Sequence, residues 1–481
     1  MQNLTLETDL YELTMMYGYY KSGMAHRRTV FDLFFRQGPF GGHHVIVAGL
    51  EQAISYIENL HFSKDDLDYL ASLKLFDQDF LDYLANFRFT GDIMAMLEGT
   101  VAFGYEPLVR VSAPISQAQL VETTLLNIIN HQSLIATKAS RIVLAADGDP
   151  VIEFGLRRAQ GPDAGLYGAR AAVIGGCVGT SNVLAGKRFG VPVMGTHAHS
   201  WVMSFPTELD AFRAYAAAYP DNCILLVDTY DTLRSGVPNA IIVGKELEEK
   251  GYRLKAIRLD SGDLAYLSKE ARRMLDEAGL TYTRITASND LDEFLIRDLK
   301  LQGACIDSWG VGTHLITAKD NPSLGGVYKL AAEERDGKMV PRIKVSENRE
   351  KTTNPGIKRP VRLYDKQTQK AIADLILLDD EIIDTSKPLT IFDPIETWKR
   401  KTIENFEVEN LLVPIFVNGE RVYQSPSIMD IQKRAKANLN RFWPEHVRLV
   451  NPQTYYVDLS QKLWDLRQQL IEQERRKFYR D

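Results

Sequence analysis

Seven short stretches of this chain end in groups able to bind anions, hold protons or attack phosphorus. They read EFGLRR (153–158), GTSN (179–182), GTHAHS (195–200), VDTYD (227–231), RLDSGD (258–263), ASND (287–290) and SWGVGTH (308–314). Arg157, Arg158 and Arg258 are fixed cations whose planar forks suit phosphate or carboxylate. Gly310 and Gly312 let backbone N–H groups come close to a phosphate, ahead of Thr313. Asp228, Asp231, Asp260 and Asp263 are hard oxygen donors for Mg²⁺, or acceptors for sugar hydroxyls. Together they suit a phosphorylated sugar carrying Mg²⁺. Taken singly, each has a plainer reading. DSGD is a strand-to-helix turn with Asp as an N-cap, GVGTH is an ordinary turn, and any one Asp is a cap or an ion-pair partner.

The pair His197 and His199 in GTHAHSW admits three readings. Alternate residues of a strand share a face, so both rings could reach one metal. A dinuclear zinc site needs further ligands from later strands. Of the nine histidines (26, 43, 44, 61, 131, 197, 199, 314 and 446), only His314 follows the pair within the same region. A mononuclear site from both rings and an Asp stays open. The second reading makes one ring a nucleophile at a phosphate pocket, with Asp228 to orient it. The third is a packed ring bonded to backbone. That reading is favoured for His197, and the nucleophile for His199.

These groups need a scaffold that brings strand ends together. Apolar strand candidates recur at VIEFG, GGCVG, VPVMG, CILLVD, LKAIRLD, TRITAS, CIDSWG and GGVYKL, with helical patterns between most of them. Repeated β-then-α order predicts a parallel sheet, and about eight strands predict a closed barrel with its active site at the carboxyl ends. Before this rhythm lie a helix over TDLYELTMMYGYYKSG, capped by Thr8 and ended by Gly23, a strand at TVFDLFF, and a long helical pattern over 118–146. After about residue 345 the rhythm stops in a basic, turn-rich run, Arg342 to Arg362. That run reads as solvated surface or as a cover over phosphates. The expected division is 1–118, 119–345 and 346–481, the last packing back on the others.

Composition narrows the function classes. A chain of 481 residues is too long for one ordinary core. Its net charge of −6 argues against a general nucleic-acid footprint. The start MQNLTLETDL has no basic-then-apolar pattern, so no secretory signal is expected. No apolar run is long enough to span a bilayer. Cys177, Cys223 and Cys305 form neither a zinc pattern nor a disulfide framework, which points to core thiols in a reducing cytoplasm.

The motifs TDLYELTM, FRQGPFGG, LLNIINHQSLIATKASR, EFGLRRAQGPDAG, GTSNVLAG, GTHAHSW, VDTYD, IRLDSGD and SWGVGTHL occur in the order seen in the nicotinate phosphoribosyltransferase family, which the chain resembles up to about residue 360. The C-terminal part resembles the longer bacterial members. The resemblance implies a type II phosphoribosyltransferase-like α/β fold: a split α/β N-terminal domain, an irregular barrel-like (β/α) domain and a C-terminal domain. It implies an ATP-coupled ligase of NAD salvage, joining nicotinate to 5-phosphoribosyl 1-pyrophosphate through a phosphohistidine. Mg²⁺ is the implied cofactor, and ATP the co-substrate. A cytoplasmic homodimer with shared active sites is implied, with no nucleic-acid or membrane partner.

Carried over by motif, His199 is the phosphorylated residue and Asp260 faces the ribose; both count as catalytic together with Asp228, which its place at the end of the next strand offers as the group that stabilises the charge on His199. Nicotinate lies between Tyr11 of the partner subunit and Phe154, near Thr196 and Arg258. Arg36, Arg157 and Asp263 face the phosphoribosyl pyrophosphate, and Gly310, Gly312 and Thr313 hold its 5-phosphate. Ser181 stands where related nicotinamide enzymes place an aspartate, and so does not repel a carboxylate.

Overall fold

The computed structural model describes residues 3–478. They form two compact units, one of residues 135–322 and the other of 3–134 with 323–478.

The 135–322 unit holds a six-stranded parallel sheet. Its spatial order is Gly179–Thr180, Val151–Glu153, Ser308–Val311, Arg284–Ala287, Ala256–Leu259 and Ile224–Leu226. Helices such as Pro162–Ile174, Val237–Glu249, Leu264–Glu277 and Glu293–Leu301 connect these strands. The strands are short and buried, as parallel strands covered by helices are.

Two of the eight expected strands are not members of this sheet. VPVMG contributes only a parallel bridge, Val193 with Thr180. Pro192 accepts a bond from the Thr180 N–H but has none to donate, which stops a ladder there. GGVYKL begins the strand Gly326–Arg335, which pairs antiparallel with Arg28–Phe35 in the other unit.

That other unit is built on a seven-stranded antiparallel sheet. Its order is Lys338–Pro341, Gly326–Arg335, Arg28–Phe35, Val109–Pro114, Asp92–Met96, Leu412–Val417 and Glu420–Arg421. TVFDLFF is thus a strand buried along nearly its whole length. The first helix is Leu10–Lys21, with Asp9 rather than Thr8 at its N-cap. The 118–146 pattern is broken at Val121 into Ile115–Leu120 and Glu122–Ala146. A four-stranded sheet runs Phe406–Asn410, Lys358–Asp365, Ala371–Leu378 and Val457–Leu459 over a core of Val361, Leu363, Leu375 and Phe406.

The basic run 342–362 is only partly a surface. Lys358 is buried against Asp32. Arg362 is buried in a two-bond pair with Asp374 at 2.6 and 2.8 Å, and Tyr455 adds a bond to the same carboxylate at 2.9 Å. Among the described residues no helix is long and apolar enough to cross a membrane.

Candidate active site

Because the six strands are parallel, the residues that follow each of them emerge at one edge of the sheet, where parallel α/β folds bind their ligands. Phe154, Ser181, Asp228, Asp260, Ser288 and Gly312 all sit at such ends.

His199 opens the short helix His199–Met203. Its Nδ1 lies 3.1 Å from Thr229 Oγ1 and its Nε2 3.7 Å from Asp260 Oδ2. The side chain is 39% exposed, so the ring is positioned yet reachable.

Asp228 does not orient this ring. Its Oδ2 accepts from the Asp260 N–H at 2.8 Å and the Ser261 hydroxyl at 2.7 Å, while its Oδ1 is buried without a hydrogen-bond partner. Asp260 in turn accepts from the Ser288 hydroxyl. Asp228 therefore shapes the DSGD loop that carries Asp260, and Thr229 and Asp260 flank the histidine. Thr229 and Ser288 lay within the quoted strand ends, but a hydroxyl there is too common to single out beforehand.

His197 faces the other way. It is buried, with Nδ1 3.3 Å from the Ala198 carbonyl and Nε2 accepting the Leu226 N–H at 3.2 Å. Its ring meets Tyr215 edge-on at 4.7 Å. Burial, aided by the nearby Arg258 and His199 charges, holds its pKa down to about 4. Both nitrogens are committed to backbone, so this ring has no lone pair to give a metal or a phosphate.

From the sheet strand Ala256–Leu259, Arg258 donates to Thr196 Oγ1 at 2.5 Å. Burial pushes the guanidinium below its usual range, with Asp260 and Asp228 opposing the shift; it stays a cation. Its Nε is buried without a hydrogen-bond partner, a donor left over for a ligand.

Phe154 donates its N–H to Val311 O at 2.8 Å, and its ring lies over Gly310. A Cβ at 310 would stand 2.6 Å from that ring. The aromatic ring thus leaves no room for a side chain at 310. Gly312 is less constrained, since a Cβ there would meet Phe154 O at 3.3 Å. Thr313 opens the short helix Thr313–Ile316.

Ser181 donates its N–H to Glu153 O at 2.9 Å. Arg157 and Arg158 lie exposed on the 3₁₀ turn Leu156–Arg158. Asp263 caps the helix Leu264–Glu277 through the Tyr266 N–H at 3.0 Å, so its plainer reading accounts for its bond. Tyr11 and Arg36 belong to the other unit. Tyr11 is 47% exposed on the helix Leu10–Lys21, and Arg36 Nε donates to Glu350 O at 3.1 Å.

Three family models match in chain order: the nicotinate phosphoribosyltransferase N-terminal domain at 6–130, the nicotinate phosphoribosyltransferase family at 150–354, and its C-terminal domain at 357–467. The chain belongs to the nicotinate phosphoribosyltransferase family. It is 49% identical to nicotinate phosphoribosyltransferase of Bacillus subtilis over 98% of this chain and 95% of that one. It is 37% identical to the Dictyostelium discoideum nicotinate phosphoribosyltransferase over 96% and 87%. Its fold superposes on the crystal structure of human nicotinic acid phosphoribosyltransferase with a TM-score of 0.86 at 33% identity, covering 96% of this chain and 99% of that one. The mixed α/β architecture with a parallel sheet is that of this family.

Proposed function

We propose that the chain is an ATP-coupled nicotinate phosphoribosyltransferase acting in NAD salvage, in the cytoplasm, as a homodimer with shared sites. It converts nicotinate, 5-phosphoribosyl 1-pyrophosphate, ATP and water to nicotinate mononucleotide, pyrophosphate, ADP and phosphate. The observation that carries the ATP-coupled reading is the half-open His199 ring between Thr229 and Asp260, at the carboxyl edge of a parallel sheet.

With its proton on Nδ1 and donated to Thr229 Oγ1, His199 carries its lone pair on Nε2. Nε2 attacks the γ-phosphorus of ATP, the bond to the bridging oxygen breaks, and ADP leaves. The phosphoryl group adds charge and acceptors beside Arg258, which can order the loops around the substrates. Phe154 and Tyr11 of the partner subunit sandwich the pyridine, and Arg258 with Thr196 holds its carboxylate, aiming the ring nitrogen at the anomeric carbon. The nitrogen bonds to that carbon as its bond to pyrophosphate breaks. Arg36 and Arg157 stabilise the leaving anion, Asp260 the charge growing on the ribose, and the Gly312–Thr313 turn the 5-phosphate. Water then takes the phosphoryl group from His199.

Among the described residues no group of three or more His, Cys, Asp and Glu is arranged to hold a metal. Mg²⁺ asks for less, usually one or two carboxylates with water and substrate oxygens. The unpartnered buried oxygen of Asp228, next to Asp260, fits that demand. Bound there with substrate, Mg²⁺ would neutralise phosphate charge.

Incubation with γ-labelled ATP tests the mechanism. Acid-labile label is expected on the wild type and on His197→Ala, and none on His199→Ala. An active wild type that takes up no label would exclude the phosphohistidine. Product formation with nicotinate, and its absence with nicotinamide, tests the acceptor.

A further inference from the structure

Glu153 is fully buried at the end of the strand Val151–Glu153, and no cation pairs with it among the described residues. An unpaired buried carboxyl is an expensive choice for a position that only needs filling. Its partners explain it. One oxygen accepts the Gly155 N–H and the other accepts the Thr180 hydroxyl at 2.5 Å. Its backbone oxygen accepts the Ser181 N–H, and Thr180 Oγ1 accepts the Asn182 N–H at 3.0 Å. Gly155 leaves the space, since a Cβ there would stand 2.8 Å from the carboxylate. The side chain thus ties together two adjacent strand ends. One carries Phe154, whose backbone lies between the carboxylate and Gly155, and the other carries Ser181.

We propose that Glu153 is the positioning residue that sets the spacing between Phe154 and Ser181, and so the seat of the pyridine ring. This rests on the proposed nicotinate transferase reading. The side chain acts by accepting at one end and holding a hydroxyl at the other. Glutamine keeps both links, its carbonyl accepting the Gly155 N–H and its amide, in place of the carboxylate oxygen, donating to Thr180 Oγ1, with the second bond reversed.

The test compares wild type, Glu153→Ala, Glu153→Gln and Thr180→Val in steady-state formation of nicotinate mononucleotide, alongside labelling by γ-labelled ATP. Glu153→Ala should raise KM for nicotinate about tenfold or more, with kcat and KM for the phosphoribosyl donor moving about threefold or less. Labelling of His199, which stands on a different loop, should persist. Glu153→Gln should stay within about threefold of wild type, and Thr180→Val should raise the nicotinate KM about three- to tenfold. An unchanged nicotinate KM in Glu153→Ala, or in Thr180→Val where the alanine variant does not fold, overturns the inference. So does a glutamine variant as impaired as the alanine one, because charge or proton transfer would then matter. A folded wild type that makes no nicotinate mononucleotide overturns the functional reading, and this inference with it.

Discussion

Two histidines two residues apart do opposite things because their environments differ. His199 keeps an exposed edge and one hydroxyl partner; His197 is buried with both nitrogens on backbone. Only the neutral form of His197 can accept the Leu226 N–H. Its pKa is about 4 in the folded chain, against about 6.5 for an unperturbed histidine. The unfolded chain therefore takes up a proton first as pH falls. Stability should be independent of this group above about pH 6.5, decline below it, and level off below about pH 4. Between pH 7.5 and 5 the loss from this group amounts to about 2 kcal/mol. Urea melts of wild type and His197→Gln at both pH values should show that extra loss only in wild type; equal losses would refute it. A second prediction concerns the acceptor. Ser181→Asp should lower kcat/KM for nicotinate about tenfold or more, since a carboxylate beside a carboxylate is repelled. Steady-state kinetics with nicotinate and nicotinamide read this directly. That His197 is a packed ring bonded to backbone was legible from the sequence. The part assigned to Asp228 was not. Which of two adjacent residues, Asp228 or Thr229, turns toward a ring depends on loop geometry that spacing does not encode.

At the scale of elements, the parallel sheet was legible because its strands are short, apolar and separated by helical patterns. What failed was membership. Pro192 reads as part of an apolar run, yet its missing N–H limits VPVMG to a single bridge. Gly326–Arg335 has the pattern of another barrel strand, but its partner is Arg28–Phe35, almost 300 residues earlier. Local periodicity carries no information on so distant a pairing. The strand Ser308–Val311 illustrates how tightly neighbouring ends are fitted. Gly310→Ala would put a methyl carbon 2.6 Å from the Phe154 ring. The ring must shift, costing about 1–3 kcal/mol. Thermal melting should show that loss, and the nicotinate KM should rise with it. Unchanged melting and KM would mean that the ring does not hold its place over Gly310.

On the scale of the molecule, part of the long basic run is structural. Arg362 spends its charge inside the 3–134 and 323–478 unit, on Asp374, with its guanidinium 4.8 Å from the Phe442 ring. Replacing one partner strands the other in a medium that cannot solvate it. Asp374→Ala should therefore destabilise this unit by about 3–5 kcal/mol, far more than loss of an exposed pair such as Lys64 with Asp68. Chemical denaturation of the two variants side by side checks this. Comparable losses would mean that the buried pair contributes no more than a surface one.

The same unit is assembled from the two ends of the chain, with 135–322 lying between them in sequence. During synthesis Arg28–Phe35 emerges early, as does its neighbour Val109–Pro114. Its other edge must wait for Gly326–Arg335, and the edge of Asp92–Met96 for Leu412–Val417. The parallel sheet of residues 135–322 has all its strands once Ser308–Val311 is made, shortly before Gly326–Arg335 and about 100 residues before Leu412–Val417. The nascent chain thus carries two bare apolar strand edges until Gly326–Arg335 is made, and one of them, on Asp92–Met96, stays bare until Leu412–Val417, long after the other sheet is finished. Such edges recruit other chains. Yield on overexpression should be governed by how long those two edges stay unpaired, and slower folding of the last 150 or so residues should appear as aggregation rather than as lost activity of the molecules that finish.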